Sequence, residues 1–111
     1  MENKIIALAR ELSAAIAGSD ERKNRAAAFA ELEKCPDKAA LMQEYLQLSN
    51  KLQINRLKGF APTFEDEASL SLIYSKLCLA PECKRCLDAQ AKFDEMLAGV
   101  YEILDSSIQY P

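Results

Sequence analysis

The chain has 111 residues, with 14 Lys+Arg against 17 Asp+Glu for a net charge of −3, four Cys, and neither His nor Trp. A length of this order makes a single domain, 1–111, and three glycines with four prolines supply too little turn punctuation for an all-β fold. Without His there is no Ser-His-Asp triad, no Cys-His pair, no His-ligated zinc and no imidazole switch, and the negative charge argues against nucleic-acid binding by bulk electrostatics.

The first segment, 3–17, places Ile5, Leu8, Leu12 and Ile16 at spacings of three and four, which predicts an amphipathic helix ended by Gly18. Ser19-Asp20 then offers N-cap chemistry for a second, alanine-rich helix with Ala26, Phe29, Ala30 and Leu32 facing inward, stopped by Pro36. Pro36-Asp37 restarts a helix in which Leu41, Tyr45, Leu48 and Leu52 step by four, three and four, with Met42 and Leu46 beside them. Gly59 and Pro62 end it, and Thr63 caps the next helix, whose first turn carries Glu65, Asp66 and Glu67.

Leu70, Ile73, Tyr74 and Leu77 give that fourth helix its apolar face. Ala80-Pro81-Glu82 interrupts it, and a last helix runs over 81–108 with Leu87, Phe93, Leu97, Val100, Tyr101, Leu104 and Ile108 pointing inward. No segment alternates with period two. The expected fold is all-α, with four to five antiparallel helices built around a long central hairpin, 37–58 with 63–79. Leu41, Tyr45, Leu48 and Leu52, with Leu70 and Leu77, are the expected interface, covered by a second copy or a partner helix. The alternative is that the first and last helices of the same chain cover them.

No apolar run reaches twenty residues, and the opening Met1-Glu2-Asn3-Lys4 lacks the basic-then-apolar layout of a signal peptide. The expectation is a cytoplasmic protein with reduced cysteines and no membrane association.

Several segments, in order, resemble the YlbF/YmcA family of small bacterial helical proteins, described as competence or ComK-control regulators. They begin with Ile6-Ala7-Leu8-Ala9-Arg10-Glu11-Leu12 and Ala15-Ile16-Ala17-Gly18-Ser19. The joint Cys35-Pro36-Asp37 follows, leading into Leu41-Met42-Gln43-Glu44-Tyr45. Ala80-Pro81-Glu82-Cys83, Ala89-Gln90-Ala91-Lys92-Phe93-Asp94-Glu95-Met96-Leu97 and Ile103-Leu104 complete the series, so the likeness covers 3–108. The resemblance implies a non-enzymatic regulatory adaptor that self-associates and assembles with related subunits. It further implies a complex acting on RNase Y-dependent mRNA processing, competence, biofilm formation and sporulation, with iron–sulfur clusters in some of that assembly.

Cys78, Cys83 and Cys86 form C-x4-C-x2-C, and Cys35 stands alone. Thiolates three apart on a helix share a face. In an antiparallel hairpin of equal arms, Cys35 and Cys78 would reach the same end as Cys83 and Cys86. Four converging thiolates would suit zinc or an iron–sulfur cluster. The plainer alternative makes Cys35 and Cys78 buried apolar residues, with Cys83 and Cys86 as partly exposed thiols activated by Lys84 and Arg85.

Other groups carry less. Glu65-Asp66-Glu67 is explained by capping, and the Glu-x-x-His motif that bundled di-iron sites need is missing along with His. Arg22, Lys23 and Arg25 read as a solvated face rather than an RNA contact. Gly99, inside the last helix, is expected to permit a close helix approach. The sequence thus reads as a non-enzymatic adaptor without a resident cofactor, forming a dimer or larger homo-oligomer, and the family resemblance implies related subunits and a ribonuclease as partners. The alternative is a metal- or iron–sulfur-binding, redox-sensing module that uses the four cysteines.

Overall fold

Each helix begins where the sequence offers a cap or a proline. In the computed structural model, which describes residues 3–109, the first helix α1 (Lys4–Ala17) starts behind Asn3, whose side chain accepts the Ile6 N–H at 2.9 Å. The Ser19 hydroxyl accepts the Arg22 N–H at 3.2 Å to start α2 (Asp20–Leu32), and Thr63 accepts the Asp66 N–H at 3.1 Å to start α4 (Phe64–Cys78). Helices α3 (Pro36–Leu57) and α5 (Pro81–Gln109) open on prolines, whose fixed φ suits the first helical turn. Gly59, at φ +91°, takes the left-handed conformation that ends α3.

Five helices and no strand make up the described residues, so the fold is all-α. Met1 and Glu2, from the opening weighed above against a leader segment, lie outside them, as do Tyr110 and Pro111. The second helix stops at Leu32, before Pro36, and 33–35 form a turn. Among the described residues no helix is long and apolar enough to cross a membrane.

The core sits at one pole, where the end of α2, the start of α3, the end of α4 and the start of α5 meet. Ala28, Leu32, Met42, Ile73, Leu77, Cys83 and Cys86 form it, with Phe29, Leu41, Tyr45, Leu48 and Leu87 packed around them. Helix α2 lies along α5, and α3 pairs with α4, where the rings of Tyr45 and Tyr74 stand 5.8 Å apart. Between α2 and α5, the Arg25 guanidinium lies 5.6 Å from the Phe29 ring and 5.4 Å from that of Phe93. Its Nε donates to Gln90 Oε1 at 2.6 Å. At the pole, Lys38 Nζ of α3 meets Glu82 Oε2 of α5 at 2.8 Å.

Three expectations are corrected here. On α2 the buried residues are Ala28 and Leu32, while Ala26 and Ala30 face solvent. The apolar stripe of α1 is not buried: Ile5 and Leu8 are exposed, and Leu12 and Ile16 are half-buried. On α5, Tyr101, Leu104 and Ile108 are exposed instead of facing inward. The shared lining of α2 and α5 reaches as far as Met96, and of residues 97–108 only Leu97 and Val100 are half-buried. The chain is correspondingly extended, with a radius of gyration of 17.4 Å, where a compact domain of this length has about 13 Å.

Candidate functional site

The four cysteines occupy four different settings. Cys83 and Cys86, one turn apart near the start of α5, are wholly closed off from solvent. Cys35, in the turn before α3, is half-buried and close enough to Cys83 to influence it electrostatically. Cys78, at the end of α4, is exposed and lies beside Tyr74, whose phenol it pushes above its ordinary range.

Burial pushes the Cys83 thiol up, and the neighbouring Glu82 carboxylate adds to the effect. Burial likewise raises Cys86, with Cys83 as the second cause. Lys84 and Arg85 therefore do not activate these thiols. Both basic side chains are solvent-exposed residues of α5, whereas the sulfurs point into apolar core, where the charged thiolate is disfavoured. The plainer sequence reading is reversed as well: Cys83 and Cys86 are the buried pair, and Cys78 is the open thiol.

A zinc ion or iron–sulfur cluster needs three or four thiolates around one point. Among the described residues no group of three or more His, Cys, Asp or Glu side chains is arranged to hold a metal ion. With two thiols kept neutral by an apolar core and a third facing solvent, the cysteines as arranged do not fit such a group.

The six expected interface residues divide. Leu77, at 0% exposure, and Leu52 are buried inside the chain itself. Leu41, Tyr45, Leu48 and Leu70 are half-buried, the first three against the core. Of the two helices in the alternative, the last, α5, does contact α3 and α4, and α2 rather than α1 joins it.

Apolar surface that the periodicity did not mark lies at the α3–α4 connection. Leu57, Phe60 and Phe64 are all exposed within eight residues, on either side of Gly59. The available signal was large apolar residues in a turn, where polar ones are the rule. The other motifs are locally explained. Glu65, Asp66 and Glu67 fill the first turn of α4, and Glu31 pairs with Lys34 at 3.1 Å. Arg25 is engaged by Phe29, Phe93 and Gln90, and Arg22 donates to the Ala17 carbonyl, which divides the basic group. Nothing approaches the place where a side chain at Gly99 would begin, so no close contact within the chain requires that glycine.

A bundle with a thiol-containing apolar core and several uncovered helix faces defines a small all-helical protein built around its surfaces. The chain belongs to the family described as control of competence regulator ComK, YlbF/YmcA, whose model matches residues 5–109. It is similar to a UPF0342 protein of Caldicellulosiruptor bescii (28% identity over 103 residues), an alignment spanning 93% of this chain and 87% of that protein. No solved structure matches. The family description ties these proteins to regulation, in agreement with the resemblance seen in the sequence.

Proposed function

We propose that the chain is a non-enzymatic regulatory adaptor, which self-associates and docks on partner proteins to change their activity or location. The observation that carries this reading is the apolar surface left uncovered. Among the described residues fifteen large hydrophobics are exposed, against eight apolar residues in the buried set. Monomeric proteins rarely leave contiguous apolar patches beyond a few hundred Å². The α3–α4 tip, with Leu57, Phe60 and Phe64, fits a partner's apolar groove, and the half-buried Leu41, Tyr45, Leu48 and Leu70 belong to the same partner-facing helices. Membership of a family described by ComK control supports a regulatory role. The partners proposed are related family subunits and a ribonuclease of the RNase Y kind, met in the cytoplasm.

The test is capture from native lysate, followed by reconstitution with the purified captured protein. A defined protein should bind and change its activity or location on addition of the chain. Phe60→Asp together with Leu57→Asp should weaken that binding roughly tenfold or more, the loss of about 1.4 kcal/mol of interface energy. If no purified partner changes in either respect, or if the chain alone turns over a substrate, the adaptor reading is wrong.

A further inference from the structure

We infer that Cys35 and Cys83 are a paired-thiol site that a peroxide converts to a disulfide, stapling the turn between α2 and α3 to the start of α5. The chemistry needs no partner protein and so goes beyond the adaptor reading.

The backbone holds Cys35 against the wall that encloses Cys83. The Cys35 N–H donates to the Leu32 carbonyl at 2.9 Å, and the Cys35 carbonyl accepts the Ala39 N–H at 2.9 Å. Leu32 is buried in the same core cluster as Cys83, and Ala39 packs against that cluster. Lys38 reaches across to Glu82, the residue before Cys83, with Nζ and Oε2 2.8 Å apart. Residues within four of Cys35 on either side therefore touch the start of α5 or the cluster it carries. The two thiols are also near enough for charge on Cys35 to act on Cys83.

The other pairings fit less well. Cys83 and Cys86 are each at 0% exposure, so an oxidant reaches neither of them first. Both lie within α5, one turn apart. Side chains so placed have Cβ atoms about 5–6 Å apart, and a disulfide needs about 3.5–4.5 Å. Cys78 stands apart, exposed beside Tyr74 at the end of α4. Cys35 differs from all three. It is half-buried, it lies in a turn, and no capping hydrogen bond to α3 holds its sulfur.

Access and protonation divide the roles. Cys35 is the thiol a small peroxide can reach. Its sulfur attacks the O–O bond, one oxygen stays on sulfur as a sulfenic acid, and the other leaves as water with the thiol proton. Burial pushes the Cys83 thiol up, which keeps it neutral and in reserve. Its sulfur then attacks the Cys35 sulfur, the S–O bond breaks, and the departing hydroxide takes the Cys83 proton as a second water. Two thiols are oxidised, one peroxide is reduced, and the disulfide left behind carries no charge into the apolar pole. The bond closes a loop that contains all of α3 and α4.

The experiment is peptide mapping of the full chain carrying Cys78→Ser, which removes the exposed thiol. The reduced protein is treated with hydrogen peroxide, remaining thiols are alkylated in denaturant, and trypsin is added without reductant. Cleavage after Lys34, Lys38, Lys76 and Lys84 puts Cys35 and Cys83 on separate short peptides, 35–38 and 77–84. These two should appear joined, lighter by two hydrogen atoms than their sum, and should separate on adding dithiothreitol. The oxidised chain should unfold at a urea midpoint higher by about 1 M.

Two comparisons decide where the linkage comes from. In denaturing urea the same treatment should instead link Cys83 to Cys86, the pair closest in sequence. In the folded chain, Cys35→Ser, checked for helix content by circular dichroism, should leave Cys83 and Cys86 unreacted. Cys83 joined to Cys86 in the folded chain, or Cys35 recovered only as an oxidised or unreacted single thiol, would overturn the pairing. A joined chain that unfolds at the reduced chain's midpoint would overturn the stapling.

Discussion

At the pole where the turns 33–35 and 79–80 meet, four helices close over Leu32, Met42, Leu77, Cys83 and Cys86, each under 2% exposed. Along α1, no residue is buried, and Leu12 and Ile16 are at most half-covered. The apolar residues of the two regions are of similar kinds and similarly spaced. What differs is the number of neighbours the chain can bring. Around the pole, two short turns bring four helix ends to the same place, whereas α1 and the α5 end lie outside that gathering. A helical stripe therefore declares that something must cover it, while the topology decides whether that something belongs to the same chain.

The contrast can be broken most directly with paired truncations. Leu77→Ala should cost about 2–5 kcal/mol in urea unfolding, since it leaves a cavity at the centre of the pole. Leu104→Ala, measured at a dilution where the chain is monomeric, should fall within about 0.5 kcal/mol of the parent. Equal losses from the two changes would mean that the α5 end is as much a part of the monomer's fold as the pole.

Thiol chemistry sharpens the same division. Ellman's reagent at pH 8 should label Cys78 at once and Cys35 more slowly, with Cys83 and Cys86 reacting only after denaturant is added. Burial raises the two inner thiols above their ordinary 9.0 in the folded chain. Their contribution to stability is therefore complete below pH 9.0 and lost as pH rises beyond it, because the unfolded chain ionises first. Labelling of all four thiols at one rate in the native protein would contradict the closed pole.

Caps should show a smaller version of the contrast. Ser19→Ala, at the start of a helix that packs on α5, should cost about 1 kcal/mol in global stability. Asn3→Ala, which caps the unpacked α1, should fray that helix in hydrogen exchange and leave the urea midpoint where it was. A midpoint shift for Asn3→Ala equal to that of Ser19→Ala would show α1 to be cooperative with the pole.

The smallest effect belongs to the half-buried clasp between Lys38 and Glu82. Its hydrogen bond holds the Glu82 carboxyl below the ordinary 4.5 and the Lys38 ammonium above 10.5. The clasp's contribution is thus complete above pH 4.5 and lost as pH falls below that value, and at the alkaline side it is lost above 10.5. Glu82→Gln should flatten the acid limb of the stability curve slightly, and an unchanged limb would remove the clasp from the account.

Much of the fold was legible because it is local. Asn3, Ser19, Thr63, Pro36 and Pro81 start helices through groups within a few residues of themselves, and Gly59 ends one through its own φ. The surroundings of the cysteines were not legible. Lys84 and Arg85 are adjacent in sequence and point to activated thiols, but burial by α2, α3 and α4 outweighs them, and burial depends on which helices arrive. The same limit applies to Leu52 and Leu77, whose spacing fits an intermolecular seam and an internal one equally well. The α3–α4 tip escaped notice because Leu57, Phe60 and Phe64 straddle a turn, where no helical period joins them.

Where α2 meets α5, Ala28 is buried and Ala89 packs against the core, and methyl groups let two helices come close without saying where along each other they should stop. Arg25 supplies that information. Lodged between Phe29 and Phe93 and tied to Gln90, it can engage all three only at one setting, and a slip of one turn, about 5.4 Å, would leave it opposite none of them. The side chain is a registration pin, and the distance to which the far end of α5 projects beyond α2 is the length it fixes.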